Sequence, residues 1–187
     1  EMILEAGSIR YHGKVYTYKK DILTFLFLGI DKEGEVKASS NLFKGGQADA
    51  LFLAVLDPGE KKISVIGINR DTMASMNVYD KNGRYSGRQT AQIALSHAYG
   101  DGLEESCENS LDAVSNLFYG LPIHGYCALN MPVVSKLNDA VGGVDVVIPE
   151  SANGLEKGWT TGAEVHLKGD AAYRFIRYRD TAQEQSA

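Results

Sequence analysis

"DALFLAVLDPGEKKISVIGINRDT", residues 49–72, sets two apolar runs on either side of a turn signal. The runs at 49–57 and 62–69 are rich in β-branched and large apolar side chains, and "PGEK" between them supplies a tight turn. The segment therefore reads as two paired strands of a hairpin. Its second strand ends on Arg70 and Asp71, side by side. Such a pair is either a solvated strand end or the rim of a site, and the rest of the chain must decide.

Working outward, "DILTFLFLGID" at 21–31 is nearly continuous in apolar residues and ends at Gly29 and Asp31. That pattern predicts a strand buried on both faces. Residues 1–20 are a lead-in, in which "IRYHGKVYTY" (9–18) reads as a marginal hairpin. Past the RDT, residues 74–90 are polar with little periodicity, and a short helix is expected at 89–99. Leu103, Cys107, Leu111, Val114, Leu117 and Phe118 recur at steps of three and four, the apolar face of a helix that Gly120 and Pro122 stop.

"HGYCAL" (124–129) reads as a short strand, and Asn130 as the N-cap of a helix with Pro132 in its first turn, ending at Gly142 and Gly143. "VDVVIP" (144–149) is a strand, 151–170 a Gly-rich loop or hairpin, and "AAYRFIRYRD" (171–180) a helix running into a strand. Strands and helices alternate, so the fold class is α/β or α+β with a central mixed β-sheet covered by helices.

The 187 residues suit a single domain that buries roughly two thirds of its unfolded surface. Hydrophobic residues at 44% and charged residues at 23% match an average globular domain, against general disorder or a membrane-embedded chain. The net charge of -5 argues against a general nucleic-acid binder, which needs a broad basic surface. No run approaches the ~20 apolar residues of a membrane span. Cys107 and Cys127 lie in no CxxC pattern. Two buried thiols are the first reading and a disulfide the second.

Asp31, Asp49 and the Arg70–Asp71 pair all stand where strong strands begin or end. Each alone is an ordinary solvated end. Together, two aspartates from neighbouring strand ends offer the hard oxygen ligands of a Mg²⁺ that keeps several waters and binds a substrate phosphate. In a strand, Arg177 and Arg179 of "FIRYRD" project to one face, one pleat apart. Two like charges so close favour open solvent, as on a charge-blunted edge strand, or an anion held between them. His12, His97, His124 and His166 have no metal-ligand spacing and are assigned structural roles. There is no nucleophile elbow, P-loop or GxGxxG.

Taken in order, "FLFLGID" (25–31), "GGQADALFLAVLDPGEKKISVIGINRDT" (45–72), "AYGDG" (98–102), "CENSLDAVSNLFYGLPIHGYCALN" (107–130), "LNDAVGGVDVVIPE" (137–150) and "LKGDAAYRFIRYRD" (167–180) resemble the LytR-CpsA-Psr family of bacterial cell-envelope proteins. The resemblance covers about 21 to 180. Its most specific parts are the RDT after a strand, "GGVDV" after a helix and the closing "RYRD".

The resemblance implies a catalytic domain over 21–187 that continues beyond Ala187, held at the extracytoplasmic face of the membrane by an N-terminal anchor outside this sequence. It also implies a Mg²⁺-assisted phosphotransferase that moves a glycopolymer from a polyprenyl-pyrophosphate carrier to a wall acceptor such as peptidoglycan. Carried over residue by residue, Asp31 and Asp49 match the metal-associated acids, and Arg70 the arginine contacting the pyrophosphate. Arg177 with Arg179 match the pair gripping its phosphates, and Asp71 the acid orienting Arg70.

Two departures stand out. Gln47 replaces a usual arginine two residues before Asp49, and Gln92 falls where the family carries a lysine ahead of "AYG". Each removes a positive charge near the expected phosphates, for which Arg84 or Arg88 are the available substitutes. Alternative readings on the same residues are a non-catalytic module binding the lipid carrier or glycan, and a pyrophosphatase using water as acceptor.

Overall fold

The computed structural model describes residues 7–33 and 45–178. The chain divides into two compact units, residues 1–130 and 131–187.

In the first unit, β1 (Ser8–Tyr11) and β2 (Lys14–Thr17) form the expected hairpin. Its two-residue turn holds His12 at φ 46° and Gly13 at φ 77°, the left-handed pair that matches the twist of antiparallel strands. The main sheet combines β3 (Leu23–Ile30), β4 (Ala48–Asp57), β5 (Lys62–Ile68) and a later strand, β8 (Gly125–Asn130), in the order β5-β4-β3-β8. The β3–β4 and β4–β5 pairs are antiparallel and β3–β8 is parallel, so the sheet is mixed as the sequence predicts.

Between β5 and β8 lie β6 (Met73–Tyr79), β7 (Tyr85–Gln92), a 3₁₀ segment (Ile93–Tyr99) and α1 (Glu104–Leu117). The polar stretch of little periodicity is a β-hairpin, β6 paired antiparallel to β7. Ala74, Met76 and Val78 alternate into the core, while β7 contributes mostly polar partners. Averaged over both strands, the period-2 signal fades. The short helix expected at 89–99 starts only at Ile93, because residues 89–92 complete β7.

Side chains alternate across a strand, and β3 obeys this strictly. Thr24, Leu26, Leu28 and Ile30 are buried, whereas Leu23 and Phe27 are exposed. The expectation of burial on both faces is corrected: one face packs with Leu51, Leu53 and Ile68 against Met76, Ile93, Cys107 and Val114, and the other is largely open.

The second unit contains α2 (Val133–Ala140), β9 (Val144–Val147), β10 (Glu164–Leu167) and α3 (Asp170–Arg177). β9 and β10 pair antiparallel, and Ile148, Ala152, Trp159, Leu167 and Ala172 form a separate small core. Asn130 is not a helix cap: it ends β8 and is buried, and Pro132 holds the cap position of α2. Arg177 does not lie in a strand but in the last turn of α3. Ala172 and Phe175, three residues apart, pack on the same core as Trp159, and this helical spacing prevails over the alternation in "FIRYR". Arg179 lies outside the described residues. No helix among the described residues is long and apolar enough to cross a membrane.

Candidate functional site

Three irregularities of the main sheet gather charge at one end. Between the pairs Gly29–Ala50 and Ile30–Ala48, β4 carries one extra residue, Asp49. An extra residue in one strand is a β-bulge, a device that re-aims a side chain out of the regular pleat. Asp31 follows the last residue of β3, and its N–H donates to the Gln47 carbonyl at 3.0 Å, tying it to the strand that carries Asp49. The backbone therefore places both predicted metal-associated acids at neighbouring strand ends.

The third irregularity is the turn 69–72, which directs the chain from β5 into β6. Thr72 N–H donates to the Asn69 carbonyl at 2.9 Å, and Asp71 N–H donates to Asn69 Oδ1 at 2.8 Å, a side chain mimicking a backbone turn. The Arg70 carbonyl accepts from Ala94 N–H at 3.1 Å, and the Thr72 carbonyl from Ile93 N–H at 2.8 Å. The turn is thereby pinned to the start of the 3₁₀ segment, on ordered backbone at both ends.

The side chains then link up. Arg70 Nη1 lies 2.9 Å from Asp49 Oδ1, and its Nε is 4.0 Å from Asp71 Oδ1. Gln92 Nε2 donates to Asp71 Oδ1 at 3.1 Å. The order Asp49, Arg70, Asp71, Gln92 is a continuous polar chain from the bulge to the end of β7. Arg70 is 51% and Asp49 33% exposed, so the pair is open to an incoming ligand.

Asp31 and Asp49 are hard-oxygen donors at neighbouring strand ends, a donor type that hydrated divalent cations take. Among the described residues no group of three or more His, Cys, Asp or Glu is placed to hold a metal ion. Mg²⁺ needs no cage: it keeps several waters and takes one or two carboxylates together with substrate phosphate oxygens. Asp31 and Asp49 are donors of that type.

Arg177 belongs to the second unit, where its Nη1 donates to Tyr173 Oη at 3.0 Å. Arg88, one substitute for the missing charges, is committed to Asp112, with Nη2 2.8 Å from Oδ2. Arg84 stands at the β6–β7 turn, its N–H bonded to Asp80 Oδ1.

The histidines serve the fold. His124 Nδ1 is 3.0 Å from Thr24 N, His166 Nδ1 is 2.6 Å from Asp145 Oδ1, and His97 Nδ1 is 3.0 Å from the Gly46 carbonyl. Because a carbonyl only accepts, Nδ1 of His97 carries the proton and Nε2 faces Cys107 Sγ at 3.9 Å. Burial lowers the pKa of His97 and pushes that of Cys107 up to about 11. Cys127 is exposed, so only one of the two expected buried thiols is buried; both cysteines are free.

Sequence reading missed the bulge and the Gln92–Asp71 bond. "Ala-Asp-Ala" at the head of β4, a charge interrupting an apolar strand, is the one local hint of the first. The second joins residues 21 positions apart and leaves no pattern.

Comparison with known proteins gives a consistent answer. The LytR_cpsA_psr family model matches residues 6–186. A Bacillus anthracis protein named polyisoprenyl-teichoic acid–peptidoglycan teichoic acid transferase TagU is 30% identical over 165 residues, covering 86% of this chain and 46% of that protein. The protein of the same name from Bacillus mycoides is 32% identical, with 45% of it covered. The chain thus spans about half the length of the curated relatives it matches. Among solved structures, B. subtilis TagV superposes with a TM-score of 0.63 at 25% identity, covering 87% of this chain and 58% of that one. Protein gbs0355 of Streptococcus agalactiae shares the fold, with a TM-score of 0.63 at 22% identity over 85% of this chain and 52% of that one.

Proposed function

Because the chain belongs to the LytR_cpsA_psr family, we propose that it is a Mg²⁺-assisted phosphotransferase, transferring a glycopolymer from a polyprenyl-pyrophosphate carrier to a cell-wall acceptor such as peptidoglycan at the outer face of the membrane. The observation that carries this reading is the Arg70–Asp49 ion pair at the bulge, with Asp71 beside the guanidinium and Asp31 at the end of the neighbouring strand. It offers a carboxylate pair and an always-charged planar guanidinium on one strand-end platform, the donor types that phosphoryl transfer requires.

The acceptor hydroxyl oxygen bonds to the phosphorus that carries the sugar, and the bond from that phosphorus to the bridging oxygen breaks. Polyprenyl phosphate departs with the electron pair, and the hydroxyl proton is released. Arg70 donates to phosphate oxygens, where its charge counters the negative charge that grows on the transferring and leaving groups. Asp71, held by Gln92 and the Asn69 turn, keeps the guanidinium oriented. Asp31 and Asp49 would hold Mg²⁺, which supplies Lewis-acid stabilisation of the same oxygens when bound. Arg177 and Arg179 keep, as part of this proposal, the phosphate-binding role that the resemblance implies. No protein nucleophile is required.

The test is incubation of the protein with Mg²⁺, a short-chain polyprenyl-pyrophosphate glycan and a peptidoglycan acceptor. Release of polyprenyl phosphate with glycan joined to the acceptor is expected, and Arg70→Ala abolishes it. Equal release without any acceptor would identify hydrolysis instead, and binding without release a carrier-binding module.

A further inference from the structure

We propose that His97 is a positioning residue of the strand-end site: through the Gly46 carbonyl, its Nδ1–H holds the lead-in to β4, which carries Asp49 and anchors Asp31, at a fixed reach from Arg70. The chemistry served rests on the transferase reading above; the hydrogen-bond chain does not. The 3₁₀ segment Ile93–Tyr99 bonds to both halves of the site. At its start, Ala94 N–H and Ile93 N–H hold the carbonyls of Arg70 and Thr72. Toward its end, His97 Nδ1 holds the carbonyl of Gly46 at 3.0 Å. The very next carbonyl, that of Gln47, accepts from Asp31 N–H at 3.0 Å, and Asp49 follows in the bulge. One short element thus ties the arginine turn to the backbone that places both acids.

That element is itself held in place. Ser96 Oγ donates to the Ile93 carbonyl at 2.7 Å and lies 3.0 Å from Ser110 Oγ on α1. The lead-in it grips is closely packed: a Cβ on Gly45 would come 2.7 Å from Gly102 Cα, and one on Gly46 2.8 Å from Ile30 Cγ2. Gly46 also stands at φ +86°, in the left-handed region. Glycine loses more conformational freedom on ordering than any other residue, so a directional bond at Gly46 secures the backbone where it is otherwise freest to turn.

Histidine suits the task because its two nitrogens are read from opposite sides. The side chain is 1% exposed, so water does not compete for its donor. Nε2 faces Cys107 Sγ at 3.9 Å and accepts from a thiol that burial keeps protonated. The bond made by one ring nitrogen selects the tautomer available to the other. Cys107 on α1 therefore orients the donor aimed at Gly46, and the chain Cys107, His97, Gly46 runs from the core to the backbone beneath the site.

Two substitutions separate positioning from packing. Asparagine carries its amide nitrogen where histidine carries Nδ1, and glutamine where it carries Nε2, although glutamine is the closer to histidine in volume. A side chain that only filled the core would therefore tolerate His97→Gln better. Positioning predicts the opposite: His97→Asn keeps kcat within about threefold of the unsubstituted protein, while His97→Gln lowers it about tenfold or more at unchanged KM. In the ligand-free protein, hydrogen exchange followed by NMR should show the Asp31 amide opening about tenfold faster in His97→Gln but not in His97→Asn, with the amides within β3 keeping their rates. The imidazole nitrogen shifts of the unsubstituted protein should show Nδ1 protonated and Nε2 bare. An Nε2-protonated ring, equal losses in the two variants, or a His97→Gln protein that matches the unsubstituted one in either readout overturns the proposal. If neither variant folds, the tautomer decides. Exchange as predicted in a protein that transfers nothing keeps the positioning role and sinks the transferase; transfer that His97→Gln leaves unaltered does the reverse.

Discussion

At the scale of single residues, Arg70 lies half-exposed between two aspartates. Exposed ion pairs contribute only ~0.2–1 kcal/mol to stability, so Arg70→Ala should shift the unfolding midpoint little while removing transfer. Denaturant melts beside a transfer assay separate the two effects. Gln92 gives a finer test. Its amide already donates to Asp71, and lysine at that position would donate to the same carboxylate while adding a charge. Gln92→Lys is therefore expected to tighten pyrophosphate binding several-fold at low salt, with the gain fading as ionic strength screens it; isothermal titration at two salt concentrations checks this. Asp31, Asp49, Arg70 and Asp71 were legible in the sequence as polar interruptions of strong apolar strands. The bond between Gln92 and Asp71 was not, because it depends on how β7 delivers its last residue to the 69–72 turn.

At the scale of elements, the helical spacing from Leu103 to Phe118 predicted α1, and the structure places Cys107 on its buried face opposite His97. The thiolate is the reactive form of cysteine. Burial holds the Cys107 thiol up at about 11, so at neutral pH a thiol reagent should modify exposed Cys127 promptly and Cys107 only after unfolding, one fast equivalent in a time course. Stability carries the same sign. Between an ordinary thiol pKa of 9.0 and about 11 the unfolded chain loses this proton while the native one retains it, so Cys107 makes stability fall with rising pH across that window. His97 acts at the acid end: its lowered pKa means that the unfolded chain takes up a proton first, and stability falls as pH drops below about 6.5. Thermal melts across pH measure both slopes. Elements with one dominant periodicity, such as α1, β3 and β4, were legible. The β6–β7 hairpin was not, since one of its strands is polar on both faces, and α3 was obscured by a strand-like run at its end.

At the scale of the whole molecule, the main sheet is two-sided in composition but one-sided in packing. Register lines up Leu23, Leu56 and Ile63 on one face, then Phe25, Ala54 and Val65, then Phe27, Phe52 and Gly67. In those rows Ile63 is 68% exposed, Val65 63% and Phe52 47%, while Leu53, beside Phe52 on the opposite face of β4, is 0% exposed. A continuous apolar sequence made both faces read as core, and only tertiary packing distinguishes them. Adjacent residues on one strand therefore give a direct contrast. Leu53→Ala leaves a cavity among packed side chains and should cost about 2–5 kcal/mol. Phe52→Ala removes a side chain that keeps half its surface in water, and should cost well under half as much, while lowering the fluorescence of a dye that binds exposed apolar surface. Urea melts of the two variants at one temperature decide: equal losses would mean that Phe52 is as fully packed as Leu53, and that the open face of the sheet is covered in solution.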